Sequence, residues 1–142
     1  MSAVCRKLCK KGLLIYCGLA LVLFIGLNLY NQMLLEMIME PELWFVPIVL
    51  YGPYLFLGAL VIWPSNKTTG QYVVLLFSAV VIAFHDFFKI LFLLDPDATP
   101  VTSWFALIMG WHQIIVLLVA SIVLIFIWLR KKRQDQRHEI SK

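Results

Sequence analysis

Polar side chains of this sequence fall inside long apolar stretches: His85, Asp86 and Lys89 in one, His112 and Gln113 in a second, Asn28, Asn31 and Gln32 in a third. An ionisable group at membrane depth costs about 2.5–3.5 kcal/mol on insertion scales, so each marks a function or a buried partner. Asp86 and Lys89 are three residues apart, which places them on one face of a helix where they can pair and neutralise each other. His85 and Lys89, four apart, share a neighbouring face. Lys89 can instead snorkel outward along its long stem, and Asp86 then needs a donor from His112, Gln113 or Asn28. Two histidines and an aspartate could ligate zinc or copper, but the chain lacks an H-x-x-x-H or cysteine-bearing spacing, so no metal is assigned. It also lacks a Gly-rich phosphate loop and a nucleophile elbow, and no cofactor is called for.

The elements that must carry these residues follow from composition. Of 142 residues, 62% are hydrophobic and 14% are charged, against about 25% charged in soluble domains. A soluble domain of this length could not hide so much apolar surface. Four stretches reach the roughly 20 residues that cross a bilayer: about 13–35, 43–63, 72–94 and 104–129, with a tail at 130–142. The first is too long for the apolar core of a cleaved signal peptide and reads as a retained span. The links between spans are short, which predicts one domain, an all-α antiparallel up-down four-helix transmembrane bundle.

Charge sets the expected orientation. Arg6, Lys7, Lys10 and Lys11 precede the first span, and Arg130, Lys131, Lys132 and Arg133 follow the fourth. Glu36, Glu40 and Glu42 occupy the first link, Lys67 the second, Asp95 and Asp97 the third. Basic and acidic segments alternate, so both termini and the middle link are expected in the cytoplasm of a plasma membrane or endomembrane protein. The sequon Asn66-Lys67-Thr68 is then on the unglycosylated side. Trp44, Trp63, Trp104 and Trp128 fall at span ends, where an indole bridges lipid and headgroups. Ten of the twelve Lys and Arg are terminal, which points to anionic lipid headgroups, at Arg130–Arg133 above all, and not to nucleic acid.

Counted from the outer ends, His85 lies roughly 14 Å deep, His112 and Asp86 roughly 12 Å, Asn28 roughly 10 Å and Lys89 roughly 8 Å. Asn31 and Gln32 lie nearer the surface. The polar groups of three spans therefore form one layer in the outer half of the membrane. That layer either holds helices together through interhelical hydrogen bonds or lines an outward cavity for an ion, proton or polar ligand. Pro47, Gly52 and Pro53 predict a bend at similar depth in the second span, which would either widen the bundle or simply pack. Ala79-x-x-x-Ala83 and Ala106-x-x-x-Gly110 offer close helix approach.

Cys5 and Cys9 sit in a basic juxtamembrane stretch, the setting of reversible palmitoylation. With Cys17 the count is odd, so no disulfide framework is expected. The run Cys5-Arg6-Lys7-Leu8-Cys9-Lys10-Lys11-Gly12, leading into a first span with short links after it, resembles the insect and animal four-span proteins related to the lysosome-associated transmembrane family. That resemblance implies a trafficking adaptor or junction-assembly role; the Pro-Tyr and tyrosine sorting motifs of the lysosomal members are missing from this tail. The leading functional expectation is a non-enzymatic tetraspan that organises, escorts or stabilises other membrane proteins or copies of itself. A small transporter or channel subunit using the polar layer is the alternative. An intramembrane lipid-modifying enzyme, with His85, Asp86 or His112 as acid or base, is the third.

Overall fold

The computed structural model describes residues 2–30, 32–63, 66–94 and 100–140. Its elements are α1 (Ala3–Tyr30), α2 (Gln32–Met39), a 3-10 turn (Pro41–Leu43), α3 (Phe45–Ile62), α4 (Thr69–Leu93) and α5 (Pro100–Ile140), with no strand among the described residues. Among the described residues four segments are long and apolar enough to cross a membrane: Ala3–Tyr30, Pro41–Ile62, Thr69–Leu93 and Trp104–Arg137. The protein is an all-α four-helix bundle of membrane character. Asn31, Asp95, Asp97 and the side chain of Gln32 lie outside the described residues.

The helices overrun the apolar stretches at both ends of the chain. α1 starts at Ala3, ten residues before its apolar run, and α5 continues through the basic segment to Ile140. Lys, Arg, Gln and Leu are good helix formers and neither segment contains proline, so the hydrogen-bond ladder does not stop where hydropathy falls. The tail is therefore helical from Arg130 to Ile140, with Lys132 Nζ 5.4 Å from the centre of the Trp128 ring. The first link is also partly ordered: α2 fills most of it, and Met37 and Ile38 pack on the core.

At the other end of the bundle, Thr68 starts α4. Its side chain accepts from the Gln71 N–H at 3.3 Å and the Gln71 side chain accepts from the Thr68 N–H at 2.8 Å. This capping box satisfies two donors that a helix start leaves open. Lys67 is buried beside it and donates to the Val61 carbonyl at 3.0 Å, near the end of α3. Burial, and then the nearby Lys10, push the Lys67 amine down to about 8. Lys10 of α1 and Lys67 of the middle link therefore share one end of the bundle, as an even number of crossings requires.

The packing order differs from a simple meander. α1 packs on α3 and α4, and α5 packs on the same two, while α3 and α4 meet along a thinner contact. The second and third spans are thus diagonal to each other, although the link between them is short. Each helix turns inward a stripe spaced by threes and fours: Leu13, Cys17, Ala20, Phe24 and Asn28 on α1; Leu75, Ala79, Ile82, Asp86, Lys89 and Leu93 on α4. Large apolar side chains such as Phe77, Phe84 and Ile122 face outward, where a bilayer solvates them. Trp44, Trp63, Trp104 and Trp128 are exposed at the span ends, and Trp111 is exposed between them.

α3 and α5 approach closely at Gly110. A Cβ there would lie 2.6 Å from both the carbonyl oxygen and Cγ1 of Val49. Pro53, inside α3, lacks the N–H that would normally bond the Val49 carbonyl four residues earlier. The side-chain-free face of Gly110 sits against that freed oxygen, a close backbone approach of the kind membrane helices use around proline. The proline segment therefore admits a neighbouring backbone and does not widen the bundle. Ala106-x-x-x-Gly110 lies in this contact, with Ala106 fully buried. In the other pair Ala79 is buried and Ala83 is exposed.

Candidate functional site

The site grows from the inward stripes. Asp86 and Lys89 occupy consecutive inward positions of α4, and Gln113 occupies one on α5, between Gly110 and Leu117. Tyr54 comes from the buried face of α3, and Tyr16 reaches in from α1. All four spanning helices meet here, and the α3–α4 diagonal is closed by a polar contact.

Asp86 is the hub. Its Oδ1 accepts from the Tyr54 hydroxyl and from Gln113 Nε2, the latter at 2.7 Å. Its Oδ2 accepts from the Tyr16 hydroxyl at 2.6 Å. Lys89 Nζ stands 3.7 Å from Oδ1, so the pair expected from the i,i+3 spacing forms. Lys89 has 0% exposure, which rules out snorkelling. Its ammonium donates to Tyr54 Oη at 3.1 Å and to Gln113 Oε1 at 2.9 Å. The Phe24 ring covers it at 4.5 Å from the centroid and stacks on Tyr54 at 5.6 Å.

Gln113 leaves no polar atom idle. Its carbonyl accepts from Lys89, and its amide donates to Asp86 and to the Ile82 carbonyl at 3.1 Å. A buried pair stripped of such partners is destabilising, because both charges have left water. With three donors on the carboxylate and three acceptors or ring faces on the ammonium, desolvation is compensated group by group. The chemistry available is cohesion. A charge-neutral hub joins four helices where hydrophobic attraction between them is lacking.

The other candidate residues stand apart from this hub. Asn28 is buried one turn C-terminal of Phe24 and donates to the Tyr51 hydroxyl at 2.5 Å; its Oδ1 is buried without a hydrogen-bond partner. His85 is half-buried, and its Nδ1 is 2.7 Å from the Val81 carbonyl of its own helix. His112 is exposed on the bundle's outer face, with its ring edge-on to His85 at 5.9 Å between centroids. Of the three donors expected for Asp86, only Gln113 supplies one. The histidines miss because each lies one position off the inward stripe. Among the described residues no three His, Cys, Asp or Glu side chains converge as a metal site would require. At the N-terminal end Cys5 is exposed, Cys9 is partly buried against the core and Cys17 is buried, all as free thiols. Arg130, Lys131, Lys132 and Arg133 are exposed along the α5 extension.

Tyr16 and Tyr54 are the members that polarity alone did not flag. A tyrosine scores as near-apolar, yet when buried its hydroxyl needs a partner. Tyr54 sits at an inward position of α3, which is the signal that finds it. Tyr16 lies barely a turn into the apolar run, one position before the inward-facing Cys17, and its long side chain reaches Asp86 from there.

Fold and site together define a four-span helical membrane protein with a largely buried polar core. Comparison with protein-family models, with curated proteins and with solved structures finds no match to this chain.

Proposed function

We propose that this chain is a non-enzymatic four-span membrane protein that organises, escorts or stabilises other membrane proteins. One observation carries the reading: the two charges inside the bundle, Asp86 and Lys89, compensate each other. A transported ion needs an uncompensated charge to receive it and an enzyme needs a free acid or base, whereas Asp86 and Lys89 balance each other and Lys89, Tyr54 and Gln113 are fully engaged within the protein. What remains for recognition is the apolar outer surface and the short links. The likeness of the N-terminus to the four-span relatives of the lysosome-associated transmembrane family points the same way.

Affinity purification of the tagged chain in mild detergent tests this. The reading expects defined membrane proteins to co-purify, and to keep doing so with His85→Gln and His112→Gln. A chain that travels alone under all detergents tried contradicts it.

Both termini and the middle link are assigned to the cytoplasm, on the alternation of basic and acidic links. A glycan on Asn66 would reverse that assignment. Of the two juxtamembrane cysteines, Cys5 is the better acylation site, because its thiol is exposed while Cys9 packs against the core. Acyl exchange should label the wild type and Cys9→Ser but lose the label in Cys5→Ser; retention in Cys5→Ser rejects the assignment.

A further inference from the structure

We infer that the groove between α1 and α4 binds a membrane sterol, with its hydroxyl on Asp86 and its ring body against the apolar walls. The α1–α4 contact is thinner than the α1–α3 or α4–α5 contact, and it leaves an open slot of about 300 Å³. Its lining includes Leu19, Phe24, Ala83 and Phe87, with Tyr16 and Asp86 as the polar members. From Tyr16 to Phe24 the slot extends roughly 12 Å along α1 by helical rise.

Asp86 is the one member of the ion pair that reaches this slot. Its side chain keeps 9% exposure whereas that of Lys89 keeps 0%. Oδ1 takes two hydrogen bonds and faces Lys89, while Oδ2 takes one, from Tyr16. A carboxylate oxygen accommodates two, so Oδ2 has room for a further donor.

The occupant's chemistry follows by elimination. A cation gains little, because Lys89 already balances the charge at 3.7 Å. A partner helix, about 10–12 Å across, cannot enter a slot of this size. A bare acyl chain fills apolar space but brings no donor. A neutral lipid with one hydroxyl satisfies both surfaces, and a rigid ring system suits walls of aromatic and branched side chains with Ala83 as the open edge. Tyr16 and Leu19, both in the slot, also complete Lys11-x4-Tyr16-x2-Leu19, the basic–aromatic–branched spacing associated with sterol contact. The second groove, about 500 Å³ between α4 and α5, is lined by Val119, Phe77 and similar residues with Ser78. The Ser78 hydroxyl is bonded to its own helix, so that groove serves as the control.

The test is photolabelling of the purified full chain in phospholipid nanodiscs with a diazirine-bearing cholesterol. Label is expected on residues 16–24 and 83–90. Unlabelled cholesterol should compete about tenfold better than its 3-O-methyl ether, which cannot donate to a carboxylate. Ala83→Phe, at an exposed position, should fold normally by thermal melting yet lose the label, whereas Val119→Phe should keep it. Equal competition by the ether overturns the proposal. So does label confined to the α4–α5 groove, or equal labelling of the slot by a photoreactive diacylglycerol. None of these outcomes bears on whether the chain has protein partners.

Discussion

Asp86→Leu is expected to destabilise the bundle by about 3–5 kcal/mol, the range for breaking a buried ion pair on one side. The leucine strands Lys89, which has no exposure, and removes the acceptor of Tyr16, Tyr54 and Gln113 together. Lys89→Met added to it removes the stranded charge, so the double variant should recover most of the loss. Unfolding in mixed detergent micelles, or melting followed by size exclusion, reads both. The non-additivity between the two sites should be well above 0.5 kcal/mol, since they share one network. If Asp86→Leu is as stable as the wild type, the hub does not hold the helices.

Gly110→Val should produce the second large loss, about 1–3 kcal/mol, typical of forcing extra atoms into a packed interface. The reason is geometric. A Cβ at this position meets the Val49 carbonyl oxygen at 2.6 Å, and a backbone oxygen cannot turn aside as a side chain can. α3 and α5 must separate, and the carbonyl freed by Pro53 loses its neighbour. Gly58→Ala has no such neighbour within 4 Å and should leave the melting temperature unchanged or slightly raised. Thermal melting of the two variants in parallel checks the contrast; equal behaviour would contradict the close approach.

These two sites were legible in the sequence to different degrees. The four spans and the Asp86–Lys89 pair follow from hydropathy and from i,i+3 spacing, because both are local properties of the chain. Gln113 was one of three donors matched to Asp86 by depth, and depth alone could not separate it from His112. The difference is rotational: Gln113 shares the inward stripe with Gly110 and Leu117, and His112 sits one residue before it. In water that stripe would stand out as an apolar face. In a bilayer the outward residues, such as Ile115 and Leu118, are equally apolar, so hydropathy carries no rotational signal. Tyr16, half-buried and one position off the inward stripe of α1, joins Asp86 only through the packing of α1 on α4, and the diagonal placement of α3 and α4 likewise needs tertiary packing. The Gly110–Pro53 relation joins two helices through one carbonyl, and neither motif alone announces it.

The hub is read here as cohesion and not as a conduction path, and ion flux tests that reading most directly. The full chain, reconstituted in liposomes with an internal pH-sensitive or alkali-cation dye, is predicted to give flux equal to that of protein-free vesicles under an imposed gradient. Flux above that background that Asp86→Asn or Tyr54→Phe abolishes, with the protein still folded in the vesicle, would contradict the account.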